Sequence, residues 1–176
     1  MNVALVPSDI REQQLEAWLT AYGDAVLRTC YLFLGERTLA EDALQDTFVK
    51  VWRGMEAFEG RGDCSPKTWI LRIAINTCKD YKRTAWFRHV DRSKALEELP
   101  LTFQDTTEES RALFQEVMQL PAKYKQVILL YYYHDMTMAE TAKVLELSRA
   151  TVQNRLQKAY ALLRYEPEGG FADEGE

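Results

Sequence analysis

The stretch that most constrains this sequence is residues 137–164, which predicts two short helices joined by a tight turn. Thr137 and Glu140 have the spacing of a capping box, in which each side chain satisfies a backbone amide at the start of a helix. Ser148 lies at the position of an N-cap for the second helix. The first helix is expected to turn a small apolar face inward: Ala139, Ala142 and Leu145. Two capped helices with so short a connection predict a helix-turn-helix.

The second helix of this pair has an apolar face and a polar face. Its apolar residues recur every three or four positions and share one stripe: Val152, Leu156, Ala159 and Leu163. Amide side chains lie roughly opposite, and residues 149–164 contain four cations and no acid. Amide and guanidinium groups suit base edges in a DNA major groove, and cations suit phosphates. The alternative is an ordinary helical hairpin whose charged face is merely solvated.

Charge is distributed unevenly along a chain whose net charge is -5. Residues 65–94 contain eight cations and two acids, whereas residues 95–122 contain six acids and one arginine. Residues 165–176 contain five acids and no base. Two basic segments separated by acidic sequence indicate two contact regions on one polyanion.

The bulk composition excludes several classes of protein. A length of 176 residues with 47% hydrophobic residues allows one medium or two small globular domains. No apolar run could span a membrane, and the N-terminal residues lack a basic start followed by an apolar core, so we expect a cytoplasmic protein without membrane insertion. Cys30, Cys64 and Cys78 are far apart, which favours reduced structural thiols over a disulfide or zinc site. No catalytic or phosphate-binding motif occurs, so neither an enzyme nor a cofactor or metal is expected.

Two helices are predicted before the basic segment. The first covers residues 10–34, with an apolar stripe at helical spacing: Leu15, Trp18, Leu19, Tyr22, Val26, Cys30 and Leu34. Thr38 and Glu41 then have capping-box spacing and open a second helix to about Met55. Its inward residues are Leu44, Phe48, Val51, Trp52 and Met55. The face opposite its apolar stripe carries Asp42, Gln45, Asp46, Val49 and Arg53. An apolar valine among acidic side chains can mark a docking surface, although a single exposed apolar residue usually has no such meaning.

A third, basic helix is predicted from Ser65 as N-cap and Pro66 as first helical residue to about Arg83. Its inward residues are Ile70, Ile73, Ala74, Thr77 and Tyr81, and its outward residues are Arg72, Ile75, Asn76, Lys79, Lys82 and Arg83. Trp86 and Phe87 follow, and rings interleaved with cations suit unstacked nucleic acid. For the tryptophans, including Trp69, a place in the core is favoured. The alternative for the cations is a solvated basic face.

Helical periodicity fades over residues 91–108 and returns from about Glu109 to Gln119, with Leu113, Val117 and Leu120 inward. Pro121 starts a further helix, and the helix-turn-helix follows. The predicted fold class is therefore all-α, with two small helical domains at residues 1–90 and 109–165. A flexible acidic linker joins them at residues 91–108, and residues 166–176 form a disordered acidic tail.

Four stretches of this chain, in this order, resemble the extracytoplasmic-function (ECF) sigma factors of bacterial RNA polymerase. They are LAEDALQDTFVKVWR (39–53), TWILRIAINTCKDYKR (68–83), LPAKYKQVILLYYYHDMTMAETAKVL (120–145) and LSRATVQNRLQKAYALLR (147–164). The likeness spans about residues 10–165. A match to one such motif is moderately specific evidence for this family. Four matches in the right order and spacing are strong evidence. The resemblance implies a factor that binds RNA polymerase core and promoter DNA to initiate transcription, restrained by an anti-sigma factor.

The resemblance also implies three sets of contact residues. The face that would dock on the polymerase clamp helices comprises Asp42, Gln45, Asp46, Val49 and Arg53. The residues that would capture, read and melt the minus-ten element are Arg61, Asp63, Arg72, Asn76, Lys79, Lys82 and Arg83. Those that would read duplex minus-thirty-five DNA are Arg149, Ala150, Thr151, Gln153, Asn154, Arg155 and Lys158. The polymerase flap is a further expected contact. One departure is Pro66, where family members often have an aromatic residue.

Two other classes of function compete with this interpretation. A stand-alone repressor or activator would bind DNA by itself, but an acidic docking helix beside a basic helix argues against that class. A sigma mimic would titrate an anti-sigma factor without touching DNA. Such mimics usually need a receiver domain and have no use for a basic recognition helix. The sequence therefore favours an initiation subunit with no covalent chemistry of its own.

Overall fold

The computed structural model describes residues 8–59, 64–84 and 107–164. Within these ranges every regular element is helical, and no strand occurs. The helices divide into two compact units, the first ending before the gap at residues 85–106 and the second beginning after it. The prediction of an all-α chain with two helical domains is confirmed. The predicted linker lies largely outside the described residues, as do Trp86 and the C-terminal tail.

The first unit is a bundle of three helices: α1 (Ser8–Leu34), α2 (Arg37–Glu59) and α3 (Pro66–Arg83). Each helix packs against both of the others. The residues at the centre of this core have no exposed surface: Val26, Cys30, Val51, Met55, Ile70 and Ala74. This confirms the inward stripes of α1 and α2 at these positions. Leu19 is an exception, because 46% of its surface is exposed.

The start of α2 differs from the prediction. The helix begins at Arg37, so Thr38 already lies in its first turn and is not the N-cap. The Glu36 carboxylate instead accepts a hydrogen bond from the Thr38 amide at 3.2 Å. Glu41, the expected capping partner, pairs with Arg37 at 2.8 Å. The predicted Thr38–Glu41 capping box is therefore wrong. Glu36 binds the Thr38 amide, and Arg37 binds the Glu41 carboxylate.

The start of α3 is as predicted. The Ser65 hydroxyl accepts a hydrogen bond from the Thr68 amide at 3.2 Å, and Pro66 occupies the first turn. The predicted outward position of Ile75 is wrong, since this residue is completely buried. Because α3 packs against both α1 and α2, its buried arc is wider than one stripe and also includes Leu71.

Three aromatic rings close one end of the bundle and explain why α2 continues past Met55 to Glu59. Phe58 stacks on Trp69 with ring centroids 4.6 Å apart, and Trp18 meets both rings edge-on. Gly54 leaves room for the indole, because a Cβ atom there would lie 3.0 Å from Trp69. The expectation that Trp69 packs inside is met, although the ring is half-buried.

Two of the three cysteines meet inside the first unit. Cys30 of α1 and Cys78 of α3 are completely buried, and their thiols are hydrogen-bonded to each other without a disulfide. That hydrogen bond and the burial raise the pKa of Cys30. Complete burial without a disulfide makes both residues small core side chains, as predicted.

The second unit contains α4 (Glu108–Gln119), α5 (Ala122–Ile128), α6 (Met138–Leu145) and α7 (Arg149–Leu163). Between α5 and α6 lies a π-helical turn, Leu129–Tyr133, which the sequence did not predict. The turn closes with a hydrogen bond from the His134 amide to the Leu129 carbonyl at 3.2 Å. Since a π-turn takes one more residue than an α-turn, it shifts the phase of the side chains that follow.

Two inward positions predicted for the second unit are wrong. Leu113 of α4 is 44% exposed, and the neighbouring Phe114 is buried in its place. Ala139 of α6 is exposed, whereas Thr141 and Val144 are completely buried. In both helices the observed phase is rotated from the predicted one. The neighbouring helices decide which residues face inward. A helical pattern in the sequence does not contain that information.

The helix-turn-helix has the predicted caps. The Thr137 hydroxyl accepts from the Glu140 amide at 3.1 Å, and the Glu140 carboxylate accepts from the Thr137 amide at 2.9 Å. Glu146 then takes a left-handed conformation with φ of 57° and ends α6. The Ser148 hydroxyl accepts from the Thr151 amide at 3.1 Å and starts α7. The short turn is therefore fixed at both sides by local hydrogen bonds.

Replacing Thr137 by alanine tests this cap. Loss of the hydroxyl leaves the Glu140 amide without its acceptor, and we expect unfolding free energy to fall by about 1 kcal/mol. Thr137→Ser keeps the hydroxyl and is the matched control. Urea unfolding followed by circular dichroism measures both variants. Equal stability of Thr137→Ala and the parent protein would show that the cap contributes nothing to the folded state.

Candidate nucleic-acid and protein interfaces

The polar face of α7 is carried by a helix whose opposite face is fixed in the core. Val152, Leu156 and Ala159 are completely buried, which sets the rotation of the helix. Five of the predicted contact residues are exposed: Arg149, Ala150, Gln153, Asn154 and Lys158. Thr151 and Arg155 are half-buried. The structure therefore presents the predicted residues on one accessible face, with two of them at its edges.

Thr151 differs from its neighbours because its polar groups serve the helix cap. Its amide donates to Ser148, and the two hydroxyl oxygens lie 2.8 Å apart. The hydroxyl is therefore engaged locally, and the side-chain methyl group is the part best placed for contact with a base. Thr methyl groups pack on the thymine methyl in protein–DNA complexes.

The basic helix α3 shows a graded exposure of its predicted nucleic-acid residues. Arg72 and Arg83 are exposed, whereas Asn76, Lys79 and Lys82 are half-buried. The Lys82 ammonium lies 5.4 Å from the centre of the Phe33 ring, a cation–π distance. Arg83 lies 3.7 Å from Asp80. Arg61 and Asp63 lie outside the described residues.

The five predicted docking residues of α2 form one exposed stripe: Asp42, Gln45, Asp46, Val49 and Arg53. Val49 is 47% exposed beside these polar side chains. The stripe lies between two grooves. One groove separates α2 from α3, and the other separates α2 from α1.

Polar contacts cross the groove between α2 and α3. The Tyr81 hydroxyl of α3 donates to Oδ2 of Asp46 at 2.6 Å. The Lys50 ammonium donates to the Thr77 hydroxyl at 3.0 Å and reaches Asp80 at 3.5 Å. Sequence reasoning placed Tyr81 inward and did not find its bond, because the two partners are 35 residues apart.

The environment of Tyr81 keeps its phenol protonated. Burial, the hydrogen bond to Asp46 and the negative charges of Asp46 and Asp42 raise its pKa well above the usual value. A neutral phenol is a hydrogen-bond donor, so the contact with Asp46 persists across the physiological pH range.

The groove between α1 and α2 is apolar and has a volume of about 600 Å³. Its walls are Glu12, Leu15, Leu19, Leu44, Gln45, Phe48, Val49 and Trp52. Arg11 holds one end by pairing with Glu56 at 2.6 Å and donating to the Trp52 carbonyl at 3.0 Å. Because Gln45 and Val49 belong to both the groove and the docking stripe, the two surfaces are continuous.

A second apolar groove, of about 300 Å³, lies in the second unit. Its lining residues are Leu113, Val117, Ile128, Tyr132, Tyr133, Tyr160 and Leu163. The π-turn supplies Tyr132 and Tyr133, which are 41% and 40% exposed. Sequence reasoning missed this surface because the phase shift of the π-turn leaves no signal in the periodicity.

Comparison with known proteins agrees with this geometry. Residues 12–88 match the model of Sigma-70 region 2, and residues 110–163 match that of Sigma-70, region 4. The RNA polymerase sigma-E factor of Streptomyces coelicolor is 30% identical over 162 residues, covering 87% of this chain and 85% of that protein. The chain belongs to the sigma-70 family, among its ECF sigma factors. As a sigma factor it is a transcription initiation factor.

Further relatives and solved structures match most of the chain. The ECF RNA polymerase sigma factor SigW of Bacillus subtilis is 27% identical, covering 81% of this sigma factor and 83% of SigW. CnrH, solved in complex with the cytosolic domain of CnrY, superposes with a TM-score of 0.64 at 23% identity, over 87% and 86% of the two chains. RpoE of Bartonella quintana, solved in complex with the anti-sigma factor NepR, superposes with a TM-score of 0.69 at 17% identity. The superposition covers 86% of this chain and 95% of RpoE. At these identities the superpositions establish the fold alone.

Proposed function

We propose that this sigma factor docks on RNA polymerase core through α2 and directs initiation by contacting promoter DNA through α3 and α7. The observation that carries the proposal is a pair of adjacent surfaces on the first unit, one with acidic and one with basic side chains. An exposed stripe containing Asp42 and Asp46 lies on α2, and a basic surface lies on the adjacent α3. Acidic side chains beside a DNA-binding surface weaken DNA binding. A protein partner that binds these acidic side chains accounts for their presence.

The proposed core contact uses Asp42, Gln45, Asp46, Val49 and Arg53, as the family resemblance implies. Their joint exposure supports this assignment. An interface of this kind combines charges that choose the partner with an apolar centre that excludes water. Val49 and the adjoining groove between α1 and α2 supply that centre.

The proposed minus-ten contact uses Arg72, Asn76, Lys79, Lys82 and Arg83 of α3, together with Arg61 and Asp63 of the preceding loop. Melting a promoter requires bases to leave the stack, at a cost of a few kcal/mol per step. Cations on the strand and stacking or pocket contacts with the extruded bases offset that cost. The exposure of Arg72 and Arg83 supports the phosphate part of this role.

The proposed minus-thirty-five contact places α7 in the major groove of duplex DNA. Exposed amides at Gln153 and Asn154 suit adenine edges, and Arg149, Arg155 and Lys158 suit guanine or phosphate. The fixed turn between α6 and α7 supports this role, because a recognition helix needs a rigid partner that crosses the backbone. Bound promoter DNA therefore meets both units of the chain.

The apolar groove of the second unit is assigned to protein contact with the polymerase flap. Exposed Leu113, Tyr132 and Tyr133 form an apolar surface that DNA would not cover. We assign an anti-sigma factor as a further partner, acting in the cytoplasm, because CnrH was solved with the cytosolic domain of CnrY and RpoE with the anti-sigma factor NepR. The chain performs no covalent chemistry of its own in this scheme.

Transcription in vitro tests the proposal. Purified core RNA polymerase is incubated with fragments of the host's DNA, with and without the full chain. Discrete transcripts that depend on the chain are expected, and their upstream sequences define the promoter elements. A folded chain that binds polymerase core yet yields no transcript would contradict the promoter roles of α3 and α7. Binding to an anti-sigma factor without binding to core would favour a mimic that sequesters that factor.

A further inference from the structure

A hydrogen bond joins the docking stripe of α2 to the basic helix α3. The Tyr81 hydroxyl donates to Oδ2 of Asp46 at 2.6 Å. Asp46 is exposed, whereas Tyr81 is half-buried in the groove between the two helices. A short bond from a neutral hydroxyl to a carboxylate is stronger than one between two neutral groups. The tyrosine therefore fixes one of the outward-facing carboxylates.

The geometry leaves Asp46 able to bind a second partner. A carboxylate has two oxygens and several acceptor positions, and Tyr81 occupies a position on Oδ2 only. Oδ1 remains to accept from a cationic donor on another protein. An exposed aspartate without such a restraint exchanges among its rotamers and loses that freedom on binding. Because Tyr81 already holds the Asp46 side chain in one rotamer, less side-chain entropy would be lost when a partner binds Asp46.

The fold of the unit does not depend on this bond. Lys50 already bridges α2 to Thr77 and Asp80 of α3, and Val51, Ile70 and Ala74 are completely buried in the packed core. Removal of one hydroxyl at the edge of the groove leaves these contacts in place. Its effect should therefore appear in the binding of a partner to Asp46 more than in the stability of the bundle.

We propose that Tyr81 is a positioning residue for polymerase binding, which holds the Asp46 carboxylate in the orientation that core RNA polymerase accepts. The inference rests on the proposed docking role of α2 and adds a residue of α3 to it. It also means that the helix assigned to minus-ten DNA helps to shape the surface assigned to the polymerase. Tyr81 itself needs no contact with the polymerase for this role.

The test is a double-mutant cycle on core affinity with the full chain. Tyr81→Phe removes the hydroxyl and keeps the ring, and we expect about three- to tenfold weaker binding to core. In an Asp46→Ala background the same change is expected to have no further effect, because the group it orients is gone. Tyr22→Phe, a half-buried tyrosine of α1, is the matched control and should bind as the parent does.

The outcomes separate this inference from the docking assignment. If Asp46→Ala weakens core binding and Tyr81→Phe does not, the positioning role is overturned and the docking role stands. An equal loss from Tyr81→Phe in both backgrounds would show a general structural effect and would also overturn it. If Asp46→Ala leaves core affinity unchanged, the docking role of Asp46 fails, and the positioning role fails with it. Thermal unfolding of each variant shows that the fold is retained.

Discussion

Replacing Asp42 and Asp46 together by lysine is expected to abolish binding to core RNA polymerase while leaving the helical fold intact. Both carboxylates are exposed on α2, so neither contributes to the packed core. Reversal of their charge converts attraction for a basic partner surface into repulsion. Truncating one partner of a buried interfacial charge pair costs roughly 2–5 kcal/mol. For two reversed charges we expect affinity to fall by more than about 100-fold.

The fold of this variant should lose little stability. The Asp46 change removes the hydrogen bond from Tyr81, which is worth about 1 kcal/mol in a typical protein. Asp42 is exposed, and its negative charge helps to raise the pKa of Tyr81, so its replacement should cost little stability. A modest decrease in melting temperature with an unchanged helical circular dichroism spectrum is therefore expected.

The matched control is Glu16→Lys with Asp24→Lys, which changes the net charge by the same amount. Both residues are exposed on α1 and outside the docking stripe. Affinity for fluorescently labelled core, measured by titration at fixed ionic strength, should drop for the α2 variant alone. An equal drop in both variants would attribute the loss to overall charge. Retained affinity in the α2 variant would contradict the docking assignment.

Local contacts explain why parts of this fold could be predicted from the sequence. The caps at Thr137 and Ser148 join residues three positions apart, so spacing alone identifies them. The same spacing misled at Thr38, where Glu36 and Arg37 took the capping partners. A capping motif is thus one of several local solutions, and neighbouring charges decide among them.

Tertiary contacts account for what the sequence did not predict. Ile75 is buried because α3 packs against two helices. A pattern with one apolar stripe predicts packing against one helix only. Leu113 and the π-turn tyrosines are exposed together around a groove that only the packed second unit defines. The bond between Tyr81 and Asp46 joins residues 35 positions apart on different helices. The exposed stripe of α2 was predictable because its five residues follow the period of one helix.

The second large effect is expected from Arg155→Ala combined with Lys158→Ala on α7. Lys158 is exposed and Arg155 is half-buried at the edge of the polar face. Each cation that contacts a phosphate releases a counterion on binding, so the logarithm of the affinity falls linearly with the logarithm of salt concentration. Removal of two such contacts should reduce that slope by about 2 and weaken promoter binding most strongly at low salt.

The matched control for this pair is Lys123→Ala with Lys125→Ala on α5. It removes two cations from the same unit but from a helix outside the helix-turn-helix pair. Fluorescence anisotropy of holoenzyme on labelled promoter DNA, repeated over a series of salt concentrations, measures both slopes. The control should keep the parent slope, since the proposed function assigns no phosphate contact to α5. If the α7 variant keeps the parent slope as well, Arg155 and Lys158 do not contact phosphates. The minus-thirty-five role of α7 would then depend on Arg149 and the amide side chains.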